Sequence, residues 1–165
     1  MQKSKKIVIL GHFGVGKTSL IRRFVENSFS DKYKVTIGVH ISKKVVTIKA
    51  NRTISLILWD IEGTDDINSI REGYLLGTHG AFFVFDVSRP STFQNIVEDL
   101  DLASKKTNKV PTLVIGNKID LANKNDVEQQ LAENKIPYDF LMSAKTGDNV
   151  DEAFLKIAEL VNTDA

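Results

Sequence analysis

Apolar and polar positions come in blocks whose period changes along the chain. Lys5 to Leu10 is apolar and β-branched and stops at Gly11; a glycine-rich loop follows, and Lys17 to Glu26 then spaces its apolar residues as an amphipathic helix does. That order reads as strand, loop, helix. Val39 to Ile48 and Thr53 to Trp59 are strand-like runs flanking Ala50-Asn51-Arg52, a turn region, and are expected to pair antiparallel. Strand-like Ala81 to Val87, helical Pro90 to Lys106, strand-like Thr112 to Ile115, helical Val127 to Asn134, a short strand near Tyr138 to Met142 and helical Val150 to Val161 complete the series. Such alternation predicts parallel strands covered by helices on both faces, with the hairpin adding an antiparallel edge. The expected class is α/β, a three-layer sandwich with a six-stranded, mixed but mostly parallel sheet and about five helices. Ser88 or Pro90 is placed to open the third helix, and Asp148 or Asn149 to cap the last.

Two polar stretches interrupt the pattern, Glu26 to Thr36 and Asp60 to Ser69. Loops of this length in a compact domain are often functional. The 165 residues are expected to form one domain, residues 1–165, with enough chain to bury a core unaided by disulfides or metal staples. No cysteine occurs, which removes thiol catalysis, Cys-ligated zinc and any lipid anchor on a cysteine of this sequence, and leaves an intracellular, cytoplasmic address as the default. Lys and Arg number 22 against 21 Asp and Glu, so no overall charge drives the chain toward nucleic acid or an anionic membrane. No apolar run approaches the length of a spanning helix.

Gly11-His12-Phe13-Gly14-Val15-Gly16-Lys17-Thr18 has the form GxxxxGK[ST] and lies between a predicted strand and a predicted helix. Each type serves the chemistry. Glycines let successive N–H groups turn inward around phosphate oxygens, and the helix N-terminus adds partial positive charge. Phe13, Gly14, Val15 and Gly16 therefore form the phosphate cradle, Lys17 neutralises β and γ phosphates, and Thr18 offers a hydroxyl to Mg²⁺; Ser19 opens the helix beside them. Asp60, at the end of its strand, is expected to hold Mg²⁺ through water, and Gly63 to bring a backbone N–H to the γ phosphate. Asn117-Lys118-Ile119-Asp120 and Ser143-Ala144-Lys145 both follow strands, where ligands bind in open α/β sheets. The Asp120 carboxylate can accept from guanine N1–H and its exocyclic amine, a pattern adenine lacks. Lys118 can lay its stem along a base.

In this order the motifs resemble the Ras superfamily of small GTPases, closest to the Rab branch, over essentially the whole chain: Thr36-Ile37-Gly38-Val39 resembles the first switch, Trp59-Asp60-x-x-Gly63 the second, and Gly116 to Asp120 and Ser143 to Gly147 the base loops. The resemblance implies a P-loop NTPase fold, bound GTP or GDP with Mg²⁺, and effectors, exchange factors and activating proteins at the switch regions of a monomer. It further implies that Thr36 joins Mg²⁺ and the γ phosphate in the GTP state, that Asn117 and the Ala144 backbone contact the base, and that Phe29 covers the ribose or base. Peripheral membrane attachment is expected only through a lipidated tail beyond Asn162-Thr163-Asp164-Ala165.

Departures from the family pattern carry their own expectations. Thr64 replaces the glutamine that positions water, which implies slow hydrolysis by the group Lys17, Gly63 and Thr64, or a long-lived GTP-bound binding module with none. Phe13 stands where the family keeps a small residue, Glu62 where it has alanine, with inward and outward orientations both open, and His40-Ile41 and Asp66-Ile67 alter the partner face. A P-loop kinase or ATPase would leave Asp120 unexplained.

Overall fold

The computed structural model describes residues 3–30 and 36–162. Six strands, β1 (Lys3–Gly11), β2 (Val39–Thr47), β3 (Thr53–Ile61), β4 (Gly80–Asp86), β5 (Thr112–Asn117) and β6 (Phe140–Leu141), form one sheet in the order β2-β3-β1-β4-β5-β6. The β2–β3 pair is antiparallel and every other pair is parallel. Five helices flank it: α1 (Lys17–Glu26), α2 (Glu72–Leu75), α3 (Ile96–Lys106), α4 (Lys124–Glu133) and α5 (Val150–Val161). The α/β class and the mixed, mostly parallel sheet are those the sequence pattern predicts.

Alternation along the strands sorts the core into two layers. Ile7 and Ile9 of β1 and Phe82 and Val84 of β4 face one side of the sheet, against α1 and α5; Val8, Leu10, Phe83 and Phe85 face the other, against α3 and α4. The helices meet these faces with matching periods. In α5 the buried residues are Val150, Ala153, Phe154, Ile157, Ala158 and Val161, one continuous stripe. Phe154 lies stacked on Phe24 of α1, with ring centroids 3.9 Å apart, and meets Phe82 edge-on at 4.9 Å. This aromatic group ties both helices to the sheet.

Three elements differ from expectation. The segment predicted as one helix from Pro90 is a single tight turn, Pro90–Thr92, followed by α3 from Ile96. Thr92 Oγ1 accepts from the Asp86 N–H at 2.9 Å and donates to the Arg89 carbonyl at 2.8 Å, so its side chain closes a local loop that competes with helix, while Phe93 turns into the core against Phe85. The strand expected near Tyr138 shrinks to Phe140–Leu141, because the Asp139 carboxylate, instead of a ladder carbonyl, takes the Val114 N–H at 2.7 Å. The polar loop after β3 holds one turn at Ile67–Ser69 and leads on to α2; Ile67, Ile70 and Leu75 are buried and pin it to the core. No helix among the described residues is long and apolar enough to cross a membrane.

Removing the ring that joins α1, α5 and β4 tests this account. Phe154→Ala is expected to cost about 3 to 5 kcal/mol in urea unfolding. A loss below about 1 kcal/mol would mean the cluster adds little beyond surface packing.

Candidate functional site

Parallel register brings the carboxyl ends of β1, β3, β4 and β5 to one edge of the sheet, with Ile9 opposite Asp60, Gly11 opposite Val84 and Asp86 opposite Asn117. Around β1 the chain reverses its direction of growth, from β3 on one side to β4 on the other. Loops diverge at such a point and leave a crevice. A cavity of about 290 Å³ lies there, bounded by the phosphate loop and α1, by Phe29 and Thr36, by Gly63, and by the loops after β5 and β6.

Of the residues singled out in the sequence, Phe13, Gly14, Gly16, Lys17, Thr18, Ser19, Phe29, Thr36, Gly63, Asn117, Lys118, Asp120, Ala144 and Lys145 line this cavity. Residues 31–35, which belong to the polar stretch between Glu26 and Thr36, lie outside the described residues. Val15, Ser143 and Asp60 are buried behind the lining. Thr64 lines a separate cavity with Glu62, Arg71 and Tyr74; its hydroxyl faces Ser69 Oγ at 2.9 Å and the Asp66 carbonyl at 3.1 Å. Glu62 is exposed on that second side.

The phosphate loop is held from three directions. Gly16 has φ +99°, and a Cβ there would sit 2.4 Å from Asn117 Nδ2, so both backbone sign and space demand glycine. Asn117 Nδ2 donates to the Val15 carbonyl at 2.9 Å, and its Oδ1 accepts from the Ala144 N–H at 3.3 Å. Lys118 Nζ donates to the Gly14 carbonyl at 2.9 Å and pairs with the buried Asp86 carboxylate at 3.0 Å. The Lys118 ammonium is thus engaged below the cavity, leaving its stem along the wall.

Thr18, Thr36 and Asp60 converge. Thr18 Oγ1 is 2.7 Å from Thr36 Oγ1 and donates to Asp60 Oδ2 at 2.5 Å, while Thr36 Oγ1 is 3.3 Å from the same oxygen. Asp60 Oδ1 is buried with no hydrogen-bond partner. Burial pushes the Asp60 carboxyl above the usual carboxylate range, against the opposing effects of the Thr18 hydrogen bond, the Lys17 charge and the Thr36 hydrogen bond. Lys17 is buried too, and burial lowers its ammonium pKa, with the Asp60 charge acting the other way. An orphaned carboxylate oxygen beside two hydroxyls fits a hard, oxygen-seeking divalent cation that keeps several waters. The described residues hold no cluster of three His, Cys, Asp or Glu that would suit a different metal.

At the far end Ser143 Oγ donates to Asp120 Oδ1 at 2.6 Å. That leaves the second carboxylate oxygen for a ligand donor. Arg23, absent from the sequence reading, donates from Nε to the Ala144 carbonyl at 2.7 Å and from Nη2 to the Lys145 carbonyl at 2.5 Å. Arg22, also missed, reaches the cavity wall; it stands four residues after Thr18, a spacing that puts both on one helix face, and this was the available signal.

The family model described as the Ras family matches residues 6–163. This chain belongs to the Ras family. Among its relatives, the Ras-related protein Rab-1 of Theileria parva is 39% identical over 160 residues, covering 93% of this chain and 72% of that protein. The Ras-related protein Rab-30 of Homo sapiens is 37% identical over 158 residues, covering 93% and 77%. The chain is accordingly a Rab-like small GTPase of the Ras superfamily.

The buried carboxyl of this Rab-like GTPase makes a signed prediction. A carboxyl whose pKa is raised by folding takes up a proton on folding between its ordinary value near 4 and the raised one, so stability falls as pH rises through that window. Thermal unfolding of nucleotide-free protein in chelator should show this loss, and the difference between wild type and Asp60→Asn should carry it. A difference that is flat with pH would show that Asp60 does not titrate in this way.

Proposed function

We propose that the chain is a guanine-nucleotide-dependent switch that takes Mg²⁺ with GTP or GDP into the cavity at the carboxyl edge of its sheet and hydrolyses GTP slowly. One observation carries the reading: a single cavity is lined by the phosphate loop, by Thr18 and Thr36 with Asp60 buried behind them, and by Asp120. The N–H groups of residues 13–18 and the Lys17 ammonium meet the phosphates; Thr18 and Thr36, with Asp60 behind them, would hold the cation, which when bound supplies charge neutralisation at the β and γ oxygens. Asp120, with one oxygen fixed by Ser143, accepts from guanine; Asn117, Lys118, Ala144 and Lys145 shape the base pocket, and Phe29 covers it.

Thr36 and Gly63 lie at the end where a γ phosphate belongs, so its presence or absence acts on the loops that carry them. The Glu62 N–H donates to the Gly38 carbonyl at 2.8 Å, which links the two loops directly. Exposed Ile37, Ile41 and Leu76 give effectors, exchange factors and activating proteins an apolar surface beside those loops. Membrane traffic or signalling at cytosolic membrane faces, as a monomer whose attachment depends on a lipidated tail, is the corresponding cellular role.

A second reading, a GTP-bound module with negligible turnover, is favoured by the position of Thr64, whose hydroxyl is turned away from the phosphate end. It cannot orient water there. Phe13, half-exposed at the cavity mouth, also crowds the approach of an activating protein's arginine.

Asp120→Ala is expected to weaken GDP binding by about 2 to 4 kcal/mol, with ATP binding poorly to both proteins in titration calorimetry. Tight ATP binding, or GDP binding indifferent to the change, would end the guanine assignment. In single-turnover assays wild type should hydrolyse GTP about 10 to 100 times more slowly than Thr64→Gln, equivalent to about 1.4 to 2.7 kcal/mol of barrier, and Thr64→Gln with Phe13→Gly should be faster than either alone. Equal rates in all four would show that neither residue limits turnover.

A further inference from the structure

His12, the second residue of the phosphate loop, has its ring largely buried between two carboxylates from distant parts of the chain. Nδ1 is 2.8 Å from Asp65 Oδ1, on the loop after β3, and Nε2 is 3.4 Å from Asp99 Oδ2, in the first turn of α3. Each ring nitrogen thus faces a carboxylate oxygen, and a carboxylate accepts from whichever nitrogen carries hydrogen. Asp99 is largely buried beside it, while Asp65 is exposed. One end of this bridge is therefore anchored in the fold and the other grips a surface loop.

The same loop touches the phosphate loop twice more. The Thr64 N–H donates to the Gly11 carbonyl at 3.2 Å. A Cβ on Gly63 would lie 2.6 Å from Phe13 Cα and 3.0 Å from the His12 carbonyl oxygen, so the two backbones are in direct contact. Three successive residues, Gly63, Thr64 and Asp65, are thus fastened to residues 11–13. The first two contacts are made by backbone, and the third depends on which side chain stands at position 12.

We propose that His12 is a positioning residue that clamps residues 63–66 onto the phosphate loop whichever nucleotide is present. The inference rests on the guanine-nucleotide reading for its functional consequence, which is that this loop answers a γ phosphate weakly and that Thr64 stays with its hydroxyl toward Ser69. The geometry of the clamp itself stands without any ligand.

Amide hydrogen exchange on the full chain reads the clamp directly. In nucleotide-free protein, His12→Ala and Asp65→Asn should each speed exchange in residues 63–70 by about threefold to tenfold, between the worth of an exposed ion pair and that of a charged hydrogen bond to a buried group. The double variant should be no faster than His12→Ala, and Asp65→Glu should retain protection. Peptides from β4 and α5 should not change. With GDP and then a non-hydrolysable GTP analogue, wild type should differ little in residues 63–70 and His12→Ala should differ more. Unaltered exchange in His12→Ala, additive single effects, faster exchange spread through β4 and α5, or a large nucleotide-dependent difference in wild type would each overturn the proposal. Failure of wild type to bind GDP at all would instead remove the functional reading, and the nucleotide-free comparison would still decide the clamp.

Discussion

The side-chain amide of Asn117 is the pin on which the site depends. It is buried at the end of β5, gives one hydrogen to the Val15 carbonyl and takes one from the Ala144 N–H, so three loops separated by about a hundred residues and then by twenty-seven meet on one planar group. A buried amide with both ends satisfied is rigid, and either end left open would carry the desolvation penalty of an unpaired polar group. Everything that shapes the phosphate end follows from it: Gly16 cannot carry a side chain because the amide occupies that space, and the loop has to pass with positive φ. Arg23 supports the same junction from α1 through the Ala144 and Lys145 carbonyls. Position is fixed here before any ligand arrives, and preorganisation of this kind reduces what binding must spend on ordering loops.

Charge is arranged as two buried and opposed groups at one end of the cavity and a supported carboxylate at the other. Lys17 and Asp60 are each driven by burial toward their neutral forms, and each favours the other's charged form. In the proposed switch, a phosphate chain would face the Lys17 ammonium and a divalent cation the Asp60 carboxylate. Asp120 is treated differently. Its hydroxyl partner Ser143 donates to one oxygen without neutralising the group, leaving a charged acceptor at the other end of the cavity.

Between these fixed ends the loop after β3 has an unusual standing. Its buried Ile67 and Ile70 root it in the core, its backbone lies against the phosphate loop at Gly63, and His12 adds a side-chain tie. Against that stands Thr36, whose only described polar partners are the hydroxyl of Thr18 and the carboxylate of Asp60.

The sequence by itself determined the alternation of strands and helices, the hairpin edge, the phosphate loop, and the carboxylates at the ends of β3 and β5, because periodicity and short motifs are local properties that neighbouring residues enforce on one another. It also determined that Thr64, Phe13 and Glu62 depart from the family pattern. What those departures do was decided only by tertiary structure. The Thr64 hydroxyl turns toward Ser69, Glu62 faces solvent, and His12 bridges Asp65 and Asp99 across separations of 53 and 87 residues. Arg23 reaches carbonyls 121 and 122 residues away, and the break between Pro90–Thr92 and α3 depends on Thr92 closing on Asp86 and Phe93 finding Phe85. No local pattern encodes such pairs, since each exists only where folding has brought donor and acceptor, or ring and ring, within bonding distance.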